Sequence, residues 1–171
     1  MCIRDRNGSV PSILPQQEVV IENITWTPEV EIRNNYFART PTRGILVTTR
    51  RKVIIENNVF YRTPMSAIAV SNDARSWYES GPVHDLTIRN NHFIECGSPV
   101  INIAPENNRP NGTVHKGIRI ENNRFTLKDK QAIYARWTDN IRISGNYFDG
   151  ILPVSKKESV LLEHCTNVDS E

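Results

Sequence analysis

Cysteine is nearly absent from the 171 residues: Cys2, Cys96 and Cys165 are an odd number, with no Cys-x-x-Cys spacing. That argues against a disulfide framework and against a zinc site, and Cys96 is read as a small buried residue. Charge of one sign is also lacking, because 21 basic and 19 acidic residues are mixed along the chain for a formal net charge of +2. No basic stripe of the kind that tracks a phosphate backbone stands out, so nucleic acid is not expected as a partner. No apolar run approaches the ~20 residues that span a bilayer, so no membrane is expected, and the residues from Met1 onward lack the apolar core of a signal peptide. Apolar periodicity of 3.6 residues is missing as well, which argues against helical repeats.

What the chain does have is one pattern repeated five times: an aliphatic residue, x, Ile, x, Asn or Gly, Asn, x, Phe. The copies run from Val30 to Phe37, Val53 to Phe60, Leu86 to Phe93, Ile118 to Phe125 and Ile141 to Phe148. Their closing phenylalanines are 23, 33, 32 and 23 residues apart, a base period near 23 with two insertions of about ten. Periods in this range mark solenoids. The alternating aliphatic positions send every second side chain inward, as in a strand. A second short strand is predicted after each of the first four phenylalanines: Ile45 to Thr49, Ile68 to Asn72, Ile101 to Pro105 and Ile133 to Trp137. The predicted fold is therefore all-β, a right-handed parallel β-helix of about five to six coils. Residues 1–15 do not match the pattern and are expected to be a non-native or disordered N-terminal segment; residues 16–171 are expected to form one β-helix fragment.

The Asn pair explains the corner. Its first member is Asn34, Asn57, Asn90, Asn122 and, in the last copy, Gly145. Asn and Gly are the residues that enter the left-handed region at low cost, so a left-handed corner is expected on every coil. The second member, Asn35, Asn58, Asn91, Asn123 and Asn146, is placed to stack coil on coil as an amide ladder. Both columns, with the Phe column, are read as structural.

Chemistry is expected in the two insertions, Ser71 to Pro82 and Ala104 to His115. Both come after the second strand in successive coils, so they should emerge side by side and wall a cleft. Aligning the second strands brings Arg50, Asp73, Glu106 and Thr138 into one column at the strand ends. Asp73 and Glu106 are then either a carboxylate pair suited to glycoside hydrolysis or loop-capping acids that happen to align. The segment Asp73-Ala74-Arg75-Ser76-Trp77-Tyr78-Glu79 adds two rings and a second acid. Trp77 and Tyr78 either stack on sugar faces or bury themselves under the loop, and Arg43 and Arg50 either bind substrate or are solvated edge charges. His84, His92, His115 and His164 show no ligand spacing and are read as surface or corner residues, so neither metal nor cofactor is expected.

The succession Trp26-Thr27-Pro28-Glu29-Val30, Arg43-Gly44-Ile45-Leu46-Val47-Thr48-Thr49, Val53 to Asn58 and Asp73-Ala74-x-x-Trp77-Tyr78-Glu79-Ser80-Gly81 resembles glycoside hydrolase family 110, the bacterial α-1,3-galactosidases, over roughly residues 20 to 150. The resemblance is to the C-terminal coils of the family's β-helix. It implies an exo-acting, metal-independent hydrolase that removes terminal α-1,3-linked galactose from glycans with inversion at the anomeric carbon. It also implies a periplasmic or extracellular location and a full-length protein that is a monomer. Family members work with aspartates near this loop, which makes Asp73 the residue carried over. Where some members have two adjacent acids this chain has Asn72-Asp73, so Glu79 and Glu106 stand as candidates for the second acid and Asn72 joins the substrate-binding set. The alternatives are a non-catalytic carbohydrate-binding or structural β-helix, and a β-helix lyase or hydrolase of other specificity.

Overall fold

A computed structural model describes residues 24–73, 81–106, 112–150 and 155–170; the expected N-terminal segment 1–15 lies outside them. The first coil is β1 (Val30–Arg33), β2 (Tyr36–Ala38) and β3 (Ile45–Val47), and the second is β4 (Val53–Glu56), β5 (Val59–Tyr61) and β6 (Ile68–Val70). The third is β7 (Leu86–Arg89), β8 (His92–Ile94) and β9 (Ile101–Ile103), and the fourth β10 (His115–Glu121), β11 (Arg124–Leu127) and β12 (Ile133–Arg136). The fifth is β13 (Thr138–Ser144), β14 (Tyr147–Gly150), a helical turn α1 (Lys156–Ser159) and β15 (Val160–Glu163), after which β16 (Thr166–Ser170) opens a sixth. Every coil adds one strand to each of three parallel sheets, of six, five and five strands. The first sheet runs β1-β4-β7-β10-β13-β16, the second β2-β5-β8-β11-β14 and the third β3-β6-β9-β12-β15.

Each repeat read from the sequence turns out to be two strands joined by a corner. Asn34, Asn57, Asn90 and Asn122 hold φ of 57°, 55°, 54° and 53°, and Gly145 holds 62°. This left-handed residue bends the chain from the first sheet into the second, so three strands per coil are needed where two would leave the corner inside a single strand. The second Asn column is the expected ladder. Asn35 N–H donates to Asn58 Oδ1 at 2.9 Å, Asn58 N–H to Asn91 Oδ1 at 3.0 Å, Asn91 N–H to Asn123 Oδ1 at 3.0 Å and Asn123 N–H to Asn146 Oδ1 at 3.0 Å. The amide groups also donate to backbone carbonyls, so the buried polar atoms of this column are satisfied where an apolar core would leave them costly.

Inside the corner the phenylalanines stack in one column, Phe37 on Phe60, Phe93, Phe125 and Phe148, with ring centroids 4.7, 5.0, 4.8 and 5.1 Å apart. These separations equal the spacing of parallel strands, so the rings keep the backbone register. Ile55, Ile88, Ile120, Ile68, Ile101 and Ile133 fill the remainder of the interior, and Cys96 is buried as expected. On the outer face of the first sheet Glu56 takes Arg33 on one side and Arg89 Nε at 2.5 Å on the other, an ion-pair column made by coil stacking.

Candidate functional site

The two insertions leave the third sheet and return to the first at the same corner of adjacent coils. Their departures are paired: beyond Val70↔Ile103, Ala104 N–H donates to Val70 O at 3.0 Å and Glu106 N–H to Asn72 O at 3.3 Å. Their returns are paired too, with Lys116 N–H donating to Val83 O at 2.9 Å. The side-by-side emergence expected from the sequence is therefore built into the bases of both excursions.

This pairing sets Asp73 against Glu106 on neighbouring coils. Asp73 is 8% exposed, whereas Glu106 faces solvent, so the corner offers one enclosed and one accessible carboxylate. Asn72 braces the pair by accepting a second bond from Glu106 N–H through its Oδ1 at 3.2 Å. Arg50 lies at the same corner one coil earlier. Counting on from Val47↔Val70 sets it against Asp73, and counting back from Val53↔Leu86 sets it against Val83, so it underlies both ends of the first excursion. Arg43 does not join them: it precedes β3 at the other edge of the third sheet, roughly 20 Å of extended chain from Arg50. Glu79, Trp77 and Tyr78 lie outside the described residues, as do both excursion tips.

Thr138 does not belong to the column. It is already the first residue of β13, paired with His115 and fully buried, with its hydroxyl donating to Arg136 O at 3.0 Å. The fourth coil has no excursion, so the chain turns at Trp137, whose φ is 51°, and the next residue enters the first sheet. Arg136, which no sequence signal marks, reaches the base of the second excursion from the next coil and donates from Nη2 to Pro105 O at 2.5 Å.

His115 is not a surface residue. It is fully buried, its Nδ1 accepts from Val83 N–H at 3.1 Å, and its Nε2 has no hydrogen-bond partner among the described residues. The accepting Nδ1 places the proton of the neutral ring on Nε2. Burial, aided by the neighbouring His84, pushes the imidazole down to about 4. It thus ties the return of the first excursion to the return of the second as a neutral ring. Its position in the insertion hid it, since only the registered sheet shows that residue 115 is a strand start. Among the described residues no three His, Cys, Asp or Glu side chains converge as a metal-binding group.

The three stacked parallel sheets define the class, and the family profile for a right-handed β-helix region matches residues 18–168. The chain is 52% identical over 160 residues to alpha-1,3-galactosidase A of Bacteroides thetaiotaomicron, covering 91% of the chain and 28% of that protein. It is 47% identical over 133 residues to alpha-1,3-galactosidase A of Akkermansia muciniphila, covering 78% of the chain and 22% of that protein. With alpha-1,3-galactosidase B of Bacteroides thetaiotaomicron the identity is 42% over 163 residues, 87% of the chain and 26% of that protein. The chain belongs to the right-handed β-helix family of these alpha-1,3-galactosidases. It spans about a quarter of their length.

Proposed function

We propose that this chain is part of a glycoside hydrolase that releases terminal α-1,3-linked galactose from a glycan, and that its excursion corner carries a catalytic acid. The observation behind the proposal is a junction of two facts: identity of up to 52% to proteins named alpha-1,3-galactosidase, and a register that opposes Asp73 to Glu106 at the base of two adjacent excursions. A glycosidase needs two carboxylates, one to protonate the leaving oxygen and one to activate water or attack. Asp73 is assigned the general acid or base role, and Glu106 or Glu79 the other. Arg50, Asn72, Trp77 and Tyr78 are assigned to substrate. Arg43 is assigned to substrate only where a longer glycan runs along the third sheet.

Coils ~4.8 Å apart accommodate the ~5 Å of a retaining pair as well as the ~6.5–9.5 Å of an inverting one once side chains splay. Inversion and independence of metal are carried over from the family resemblance, as are a periplasmic or extracellular location and a monomeric whole protein. No helix among the described residues is long and apolar enough to cross a membrane.

The test is Asp73→Asn in a protein extended to the relatives' length. Galactose release from an α-1,3-galactoside is expected to fall about 10²-fold or more, with the melting temperature little changed. A variant that keeps most of its activity removes Asp73 from the mechanism. An intact protein that binds the galactoside without releasing galactose supports the carbohydrate-binding alternative.

A further inference from the structure

Two coils beyond Asp73, at the same corner, lies a hollow of about 540 Å³ on the far side of the second excursion. Its described walls include Thr113 from the excursion's return, Trp137 and Asp139 from the fourth turn, and His164 and Thr166 from the fifth. Trp137 extends the column that runs through Asn72 and Pro105, so its distance from the acid corner is about two strand spacings, roughly 10 Å.

Three observations set this hollow apart from an ordinary corner. First, Trp137 and His164 turn successive coils in the left-handed region at φ 51° and 53°, as Arg39, Arg62 and Glu95 do at another corner, whereas the Asn-pair corner uses Asn or Gly. An indole there is a costly choice of residue for turning the chain. Second, the ring is held flat against His164, with centroids 4.2 Å apart and planes 10° from parallel, and both residues stay at least partly exposed. Third, the Asp139 carboxylate is aimed by two donors on the next coil: Thr166 Oγ1 and Asn167 Nδ2 both reach its Oδ1 at 2.7 Å. With one indole face covered by His164, the remaining exposed ring surface beside an oriented carboxylate matches the two faces of a pyranose, whose C–H side packs on aromatic surface and whose hydroxyls donate to carboxylate oxygens.

We propose that this hollow is a second sugar site, which takes a neutral hexose on the reducing side of the glycan whose terminal galactose sits at Asp73. The inference rests on the galactosidase reading for its place in the reaction, but not for the binding itself. The separation suits a short oligosaccharide running along the solenoid axis. The bond-breaking corner then recognises the terminal sugar, and the hollow selects glycans by the inner sugar attached to it.

The test uses Trp137→Asn, which swaps the ring for a residue that the same backbone favours, together with Asp139→Asn. In the present chain, lactose is titrated and read by tryptophan fluorescence and by saturation-transfer NMR. Saturable binding is expected, weakened about tenfold or more by Trp137→Asn, a change worth about 1.4 kcal/mol, and insensitive to Asp73→Asn. In the length-completed protein, KM for a galactose-terminated trisaccharide is expected to rise about tenfold in Trp137→Asn, with a much smaller change for an aryl α-galactoside. Equal losses on both substrates would show that Trp137 is only structural and would overturn the proposal, as would unchanged lactose binding in a folded variant. If no α-galactoside is cleaved at all, the galactosidase reading fails, and the lactose titration alone decides the second site.

Discussion

Asn91 shows how far one side chain is committed in a stacked coil. It is 1% exposed, donates to Ile55 O, Arg89 O and Asn123 Oδ1, and accepts from both the backbone and the side chain of Asn58. Asn91→Ala strands several of these groups without water, so unfolding free energy is expected to drop by about 3 kcal/mol or more. Asn35, exposed at the end of the ladder, should cost under about 1 kcal/mol when changed to Ala. Urea denaturation of the two variants checks the contrast, and equal losses would mean that the ladder is not what holds the coils. The Asn pair was legible because few side chains tolerate either role: the left-handed backbone at Asn90 favours Asn or Gly, and the stack at Asn91 needs a group that both donates and accepts. Arg136 is under no such restriction and Trp137 departs from it, turning the chain at φ 51° with an indole, so their roles stay invisible until their neighbours in space are known.

At the scale of the element, the two excursions depend on the bond that joins their bases. Val83 closes the first and His115 starts the strand after the second, and the bond between them needs a neutral imidazole. Because the folded His115 titrates near 4 rather than 6.5, the unfolded chain binds the proton more readily between those values. Stability is therefore expected to fall as pH drops from about 6.5 to about 4 and then to level off for this group, by up to about 3 kcal/mol. His115→Gln keeps an acceptor for Val83 and removes the titration. Melting temperatures of both proteins from pH 7 to pH 4 should converge as the pH falls; parallel curves would exclude His115 as the source. The insertion lengths showed that two loops leave the same strand position, and strand spacing was enough to put them on one flank. Where each loop rejoins the sheet was not legible, because β10 begins three residues before its repeat does and a polar His gives no strand signal.

The whole molecule is a one-dimensional stack, in which each coil is stabilised chiefly by the coils next to it. Burial is greatest in β4, β6 and β7, while β1 alternates half-buried with exposed and β16 is exposed throughout. Over the first coil an apolar hollow of about 350 Å³ lies among Trp26, Val30, Ile32, Ile45, Val47 and Val53, and Trp26 is 88% exposed. Amide exchange in this chain should accordingly be graded, with protection in β7 and β10 about 10²-fold or more above that in β1 and β16. Uniform protection along the chain would refute a stack that opens from its ends. The sequence by itself determined the period, the handed corner, the aromatic column and the interior, because each is a local choice repeated once per coil and restricted by backbone conformation or by burial. Tertiary structure alone decided that Thr138 leaves the column in which the sequence had already aligned Asp73 with Glu106, and that Trp137 and Asp139 share a hollow with His164 and Thr166. Those contacts join residues about thirty positions apart whose alignment depends on where each excursion rejoins the sheet, and pairing between coils, not residue type, sets that register.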